Sequence, residues 1–326
     1  MTDGMGRTID YIRISVTDRC NLRCRYCMPE EGVESIAHDR ILRFGEILRI
    51  VSVLAGMGLK KVKITGGEPL VRRGVTDLIA RIRQTPGIEN ITLTTNGVLL
   101  EEMYDSLADA GLDAVTVSLD TLDPARYRAI TRRDEAERVI RGIRQAALKN
   151  RISLKINCVP MGDPREQGIL ELLQLAKSQP IHVRFIEMMP IGLGSQFPFI
   201  SENELKEFLE AHLGALTPCS DVKGNGPCKY YAAEGFCGRV GFISAVTHKF
   251  CSECNRVRLT AEGFLKTCLQ YDTGVELKPL LAAGCSEEEL KAAIEKALRA
   301  KPSGHDFGGC ARTAGAERRG MSQIGG

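Results

Sequence analysis

Cys20, Cys24 and Cys27 form a C-x3-C-x2-C array in the stretch Cys-Asn-Leu-Arg-Cys-Arg-Tyr-Cys, directly after the strand-like run Ile12 to Thr17. Three thiolates packed this tightly suit a soft metal centre held by a loop. A [4Fe-4S] cubane has one more iron than this array has cysteines, so one iron would stay open to a further ligand, and chemistry would occur at that vacancy. A zinc site and reduced surface thiols are the competing readings. Zinc wants a fourth protein ligand to close its tetrahedron and usually takes its cysteines as C-x2-C pairs.

A second trio, Cys251, Cys254 and Cys268, has the spacing C-x2-C-x13-C. With His248 or Cys237 as a fourth ligand it would be an ordinary structural zinc ribbon, which spacing alone favours. The functional alternative is a second iron–sulfur cluster with its own open iron, and with Arg256 and Arg258 beside an anionic ligand. Cys158, Cys219, Cys228, Cys285 and Cys310 have no partner pattern and read as small buried apolar residues or incidental thiols.

The elements that must position these residues alternate regularly. Strand-like runs at Ile12 to Thr17, Lys61 to Thr65, Asn90 to Asn96, Ala114 to Asp120, Ser153 to Val159 and His182 to Met188 are separated by helical patterns. The helices are expected at Phe44 to Ala55, Val75 to Gln84, Glu101 to Ala110, Ala136 to Lys149, Glu166 to Ser178 and Glu202 to Leu213. Six successive strand-then-helix units imply parallel strands with right-handed crossovers. The fold class is therefore α/β, either a doubly wound sheet or an incomplete (β/α)6 barrel of the triosephosphate isomerase type. An incomplete barrel leaves an open side, which the Gly- and Cys-containing chain after residue 213, with its strand-like run Arg239 to Ser244, would cover. The expected division is 1–213 for the partial barrel and 214–326 for the extension.

In such barrels the chemistry sits where strands end. Each of the six strands here ends in something polar or glycine-rich: the first cysteine array, then Gly66-Gly67-Glu68-Pro69, Thr94-Thr95-Asn96-Gly97, Ser118-Leu119-Asp120, Asn157, and Glu187-Met188-Met189-Pro190. Glycines beside a metal loop would let backbone approach a ligand closely, with the proline fixing the edge. Within the strands, Arg13, Lys63, Lys155 and Arg184 interrupt apolar segments. Period-2 alternation places each on a defined face. If that face is the interior, several cations converge and require an anion, for which a triphosphate would serve; otherwise they are exposed rim charges.

The composition bounds the function class. There are 44 basic and 41 acidic residues, a net +3, which argues against a polyelectrolyte-binding protein. Twelve cysteines, no long apolar run and no leader-like start at Met1 to Asp10 give the expectation of a cytoplasmic chain without a membrane segment, its cysteines reduced or metal-bound. Trp is absent and aromatics are 5%, which weakens any reading as a base-stacking nucleic-acid binder.

The C-x3-C-x2-C array with Tyr26 before its third cysteine, together with Gly66-Gly67-Glu68-Pro69, resembles the radical S-adenosylmethionine (SAM) superfamily. The added trio, the Cys254-Asn-Arg256-Val-Arg258 run and the terminal Gly325-Gly326 resemble the GTP 3',8-cyclases that open molybdenum cofactor biosynthesis. That resemblance runs from Asp10 to Gly326 and implies two [4Fe-4S] clusters, SAM as cofactor and GTP as substrate. Cys20, Cys24 and Cys27 would ligate the cluster that binds SAM, and Tyr26, Gly67, Ser118 and Met189 would lie against SAM. Cys251, Cys254 and Cys268 would hold the second cluster, whose open iron meets the purine. Arg13, Lys63, Thr94, Lys155, Arg256 and Arg258 would hold GTP. The resemblance implies a position that takes Arg as well as Lys, and with Lys63 the contact would be more point-like. Arg318, Arg319, Gly325 and Gly326 fit a tail that enters the site.

The reaction implied is reductive cleavage of SAM, hydrogen removal from C3' of GTP, attack of the C3' radical on guanine C8, and reduction to 3',8-cyclo-7,8-dihydro-GTP. The resemblance also implies a flavodoxin- or ferredoxin-like one-electron donor, a homodimer, and handover of the product to cyclic pyranopterin monophosphate synthase. Two other classes are weighed against it. A peptide-modifying radical SAM enzyme would bind GTP weakly. A zinc-stabilised module using Arg256 and Arg258 on nucleic acid would contain zinc and bind with steep salt dependence.

Overall fold

The structure is a computed structural model of the chain, and it describes residues 1–222, 224–307, 316–317 and 319–325. Cys310, Arg318 and Gly326, singled out above, lie outside the described residues. The first six strands are β1 Tyr11–Ser15, β2 Lys61–Thr65, β3 Asn90–Thr95, β4 Ala114–Ser118, β5 Ser153–Cys158 and β6 His182–Ile186. After them come β7 Thr217–Cys219, β8 Lys229–Ala232, β9 Val240–Ile243, β10 Arg256–Leu259, β11 Phe264–Lys266 and β12 Gly274–Glu276. All belong to one sheet of order β12-β11-β10-β1-β2-β3-β4-β5-β6-β9-β8-β7.

The six expected units are present in sequential order, each strand parallel to the next. A doubly wound sheet reverses its order at a switch point, and this sheet does not. Two strands beyond residue 213 extend the parallel run, β10 beside β1 and β9 beside β6. The sheet is open, ending at β12 and β7.

The helices are α1 Phe44–Gly56, α2 Val75–Arg83, α3 Leu100–Asp109, α4 Pro124–Thr131, α5 Ala136–Lys149, α6 Pro164–Gln167, α7 Ile169–Ser178, α8 Glu202–Leu213, α9 Lys278–Ala282 and α10 Glu287–Arg299. The set departs from expectation in several places: α9 and α10 were not anticipated, and two further differences concern α4 and the α6–α7 stretch. The stretch read as one helix from Glu166 to Ser178 is α6 and α7, broken at Gly168, whose φ of 78° ends one and opens the other. Helix α4 was not anticipated, although Asp123 caps it by accepting from the Arg126 N–H and Pro124 opens its first turn.

Alternation along the strands separates two environments. Ile12, Ile14, Val62, Ile64, Ile91, Leu93, Val115, Val117, Ile156, Val183 and Phe185 are buried in the apolar core. The intervening positions, among them Arg13, Lys63, Thr92, Thr116, Lys155 and Arg184, line a cavity on the opposite face. A flat sheet would hold β1 and β6 roughly 24 Å apart at ordinary strand spacing. Residues from all of the first six strands, Arg13 of β1 and Arg184 of β6 among them, instead line one cavity, so the sheet curls around it.

One buried contact fixes how α3 meets β5. Tyr104 is fully buried, and its hydroxyl accepts from the backbone N–H groups of Arg151 and Ile152 at 2.9 and 3.0 Å. Tyr104→Phe strips both donors of their acceptor and is expected to lower stability by about 1–3 kcal/mol in urea denaturation; an unchanged midpoint would show that water replaces the hydroxyl.

Candidate active site

The loop carrying the first cysteines is built by close backbone approach. The Gly67 N–H donates to the Thr17 carbonyl at 2.7 Å and the Glu68 N–H to that of Arg19 at 2.8 Å. A Cβ on Gly67 would stand 2.5 Å from the carbonyl oxygens of Asp18 and Arg19, so a side chain cannot be accommodated. The glycines thus first let the stem of the cysteine loop lie against the end of β2.

Glu68, quoted above only as part of its motif, ties that corner to β3. Its carboxylate accepts from the Leu70 N–H, the Thr95 hydroxyl and the Asn96 N–H at 3.0, 2.7 and 2.7 Å. Burial pushes it up to about 7 while these donors pull it back. The Asn96 amide continues the link, donating to Asn21 Oδ1 at 2.7 Å. On the other flank, the N–H groups of Arg23 and Arg25 donate to the carbonyls of Thr131 and Ile130, each at 3.0 Å, so the end of α4 braces Cys24. Tyr26 donates to Asp120 Oδ2 at 2.9 Å, and the Val159 N–H donates to Asp120 Oδ1 at 2.8 Å. Burial raises the Asp120 carboxyl to about 6 against these two bonds. Neither Glu68 nor Asp120 was assigned a role from sequence; a carboxylate directly after a strand was the available signal.

Cys20, Cys24 and Cys27 all line the cavity. Burial raises all three thiols, Cys27 to about 12, and Cys24 is raised further by Cys27, Asp120 and Cys20. Buried thiols crowded by like charge become thiolates when a cation joins them, and a metal centre supplies it. This donor set therefore fits an iron–sulfur cluster.

The second trio lies at the other end of the cavity. Cys251 and Cys254 flank a short turn before β10, which runs parallel to β1, and Cys268 follows the antiparallel β11. The first array follows β1, so strand direction puts the two trios at opposite rims. Arg7 donates to the Cys251 carbonyl at 2.8 Å, and the His305 N–H lies 3.4 Å from Cys251 Sγ. Burial would raise the Cys254 thiol, but Lys301 and Arg256 outweigh it and hold the thiol below its ordinary value. The fourth ligands of the zinc reading stand elsewhere. His248 pairs with Glu202 at 3.2 Å, and Cys237 is exposed, its N–H on the Lys177 carbonyl. Among the described residues no three Cys, His, Asp or Glu converge on a single-ion site.

Between the rims, the cavity of about 860 Å³ is walled by cations. Arg13 is in register with Lys63 on one side and Arg258 on the other. Burial, then Arg184, Arg13, Lys155 and Arg256, drive the Lys63 amine well below its ordinary value. Burial and Arg184 lower Lys155 to about 8. The interior alternative is therefore the correct one, and these are not rim charges. Arg256 Nε and Thr92 Oγ1, both lining the cavity, are buried without a hydrogen-bond partner among the described residues, which fits a polar or anionic ligand. Thr94 Oγ1 lies 3.4 Å from Lys63 Nζ. Gly67, Ser118, Met189 and Tyr26 line the end nearer the first array. Gly325 adjoins the cavity, its carbonyl accepting at 2.8 Å from Arg258, which lines it.

The family model described as the Radical SAM superfamily matches residues 14–176, and that described as Molybdenum Cofactor Synthesis C matches residues 181–307. The chain is 44% identical over 326 residues to the GTP 3',8-cyclase of Clostridium perfringens (strain SM101 / Type A), covering 100% of both chains. It is 45% identical over 329 residues to that of Petrotoga mobilis, again covering 100% of both. Among solved structures, Streptococcus suis SuiB bound to its precursor peptide SuiA matches with TM-score 0.60 at 14% identity over 93% of this chain and 66% of that one. SuiB bound to S-adenosylmethionine matches with TM-score 0.58 at 15% identity over 80% and 60%. This chain thus spans less than two thirds of the length of SuiB, and the likeness is one of fold. The chain belongs to the radical SAM superfamily, whose chemistry uses SAM and an iron–sulfur cluster, and within it to the GTP 3',8-cyclases of molybdenum cofactor biosynthesis.

Proposed function

We propose that the chain converts GTP to (8S)-3',8-cyclo-7,8-dihydroguanosine 5'-triphosphate within this cavity. The fold that does so is an incomplete (β/α)6 barrel over 1–213, its open side closed by a cluster-binding extension over 214–326. The observation that carries the reading is the pair of cysteine trios at opposite rims of one cavity, with buried cations between them.

Cys20, Cys24 and Cys27 would hold one [4Fe-4S] cluster, and Cys251, Cys254 and Cys268 a second. SAM, bound at the cluster that Cys20, Cys24 and Cys27 would hold, would supply the radical chemistry that removes hydrogen from C3' of GTP. The protein's task is positioning and exclusion. Tyr26, Gly67, Ser118 and Met189 bear on SAM, and Tyr26 is kept in place by Asp120. Arg13, Lys63 and Lys155 take the triphosphate, whose charge relieves their mutual repulsion, and Thr94 steadies Lys63. Arg256 and Arg258, next to the second trio, orient the guanosine. A guanidinium has donors enough for Arg258 to hold Gly325 and substrate together. Gly325, held by Arg258, borders the reacting atoms. A flavodoxin- or ferredoxin-like donor, a homodimer, cytoplasmic location and handover to cyclic pyranopterin monophosphate synthase complete the reading.

Anaerobically purified protein is expected to carry about eight irons per chain and no stoichiometric zinc, and to form 5'-deoxyadenosine when given reductant, SAM and GTP. Cys24→Ala should abolish that product. Cys254→Ala should lower iron to about four per chain while sparing SAM cleavage; one zinc and about four irons in the unaltered protein would remove the second cluster.

The cation wall gives a pH dependence. Lys155 is lowered to about 8 in the free protein, and an adjacent phosphate raises it again. Through Lys155, GTP affinity should therefore fall as pH rises above about 8, over the range between the free and bound values of that amine. Lys155→Arg should flatten this slope in equilibrium dialysis; a slope retained in the variant would assign the titration to another group.

A further inference from the structure

The C-terminal tail is gripped at two points by neighbouring strands. Arg258 of β10 and Lys266 of β11 are cross-strand partners and both line the cavity. Arg258 holds the Gly325 carbonyl, while Lys266 Nζ is ion-paired with Glu317 and also donates to the Tyr271 carbonyl at 2.8 Å. The side chains of Lys266 and Glu317 are 0% and 2% exposed. Arg319 closes the arrangement from outside, with Nε 2.9 Å from Glu317 Oε1 and Nη2 2.6 Å from Asp272 Oδ1. The backbone agrees, since Ala316 bridges to Tyr271 and the Glu317 N–H donates to the Gln270 carbonyl at 2.6 Å. Beyond this grip the tail turns inward: Met321 and Ser322 line the cavity, the Ser322 backbone faces the Cys27 thiol, and Ile324 is 1% exposed.

A buried ion pair adds little net stability over apolar packing of the same volume, because desolvation cancels most of the attraction. What it does impose is register. Lys266 can pair with a carboxylate at one place along the tail, and that choice decides which residues reach the cavity beyond it. Lys266 stands two residues before Cys268, so the strand end that fixes the second trio also fixes the tail.

We propose that Lys266 and Glu317 are positioning residues that set the register of the C-terminal tail in the reaction chamber, with Arg319 and Asp272 as their outer brace. Neither acts on substrate; they act through the tail residues facing Cys27 and Arg258. The inference rests on the reading of this cavity as the site of GTP cyclisation, but tail seating is measured independently of turnover.

The test uses the cluster-loaded full-length chain and its Glu317→Gln and Glu317→Asp variants, digested with carboxypeptidase and followed by intact mass. Removing one partner of a buried pair is a large perturbation, so Glu317→Gln is expected to speed loss of the terminal residues at least about tenfold. Iron content and the KM for SAM should stay unchanged, while kcat for GTP conversion falls by a similar factor. Glu317→Asp, which keeps the charge, should recover part of both. Lys266→Met repeats the test from the other side; where that variant fails to fold, Arg319→Ala with Asp272→Asn takes its place and should give a smaller change in the same direction. Tail residues as protected in Glu317→Gln as in the parent would overturn the proposal. A parent enzyme that cleaves SAM but leaves GTP unchanged would sink the cyclase reading while the digestion still decides whether the pair seats the tail.

Discussion

The structure depends on the confinement of like charges. Arg13, Lys63, Lys155, Arg184, Arg256 and Arg258 all wall one cavity, and burial with mutual repulsion pushes Lys63 and Arg258 well below their ordinary values. Such a set is tolerable when the surrounding fold is stiff and a polyanion arrives to offset the field. Stiffness comes from the opposite face of the same strands, where uninterrupted β-branched and aliphatic side chains meet the helices. Each strand thus does two incompatible jobs by alternation, apolar toward the helices and polar toward the cavity.

That division explains how much could be read from the chain. The first six strands were legible because their helix-facing positions, such as Ile12 and Ile14 or Val62 and Ile64, are strongly β-forming. The cations were legible as anomalies, but the side they faced depended on the curl of the sheet, a property no single strand carries. The strand Arg256-Val-Arg-Leu was seen as chemistry and not as structure, since it is short and pairs with β1 across most of the chain. Helix α4 had a visible cap at Asp123-Pro124, yet its residues are mostly exposed and give little apolar periodicity.

Within the site, the cysteines and Gly66-Gly67 could be identified by spacing, but the residues that hold them in place could not. Glu68 and Asp120 work by accepting bonds from groups far away in sequence, Thr95 and Asn96 in one case, Tyr26 and Val159 in the other. A carboxylate that braces a neighbouring loop has the same local sequence as one that caps a turn. The zinc alternative for the second trio was likewise set by spacing, whereas in the structure His248 pairs with Glu202 and neither His248 nor Cys237 is among the residues that line the cavity.

The way the sheet is completed bears on how the chain is made. Strands β1 and β6 are the outer members of the first six, and each finds its remaining partner in a later segment, β10 at Arg256–Leu259 and β9 at Val240–Ile243. During synthesis from the N-terminus the six units therefore emerge with two unsatisfied parallel edges, the kind of surface on which strands from other chains add. Both edges are covered only when the segment that carries the second trio has left the ribosome, so completion of the sheet and assembly of the far rim of the cavity are one event in the life of the nascent chain.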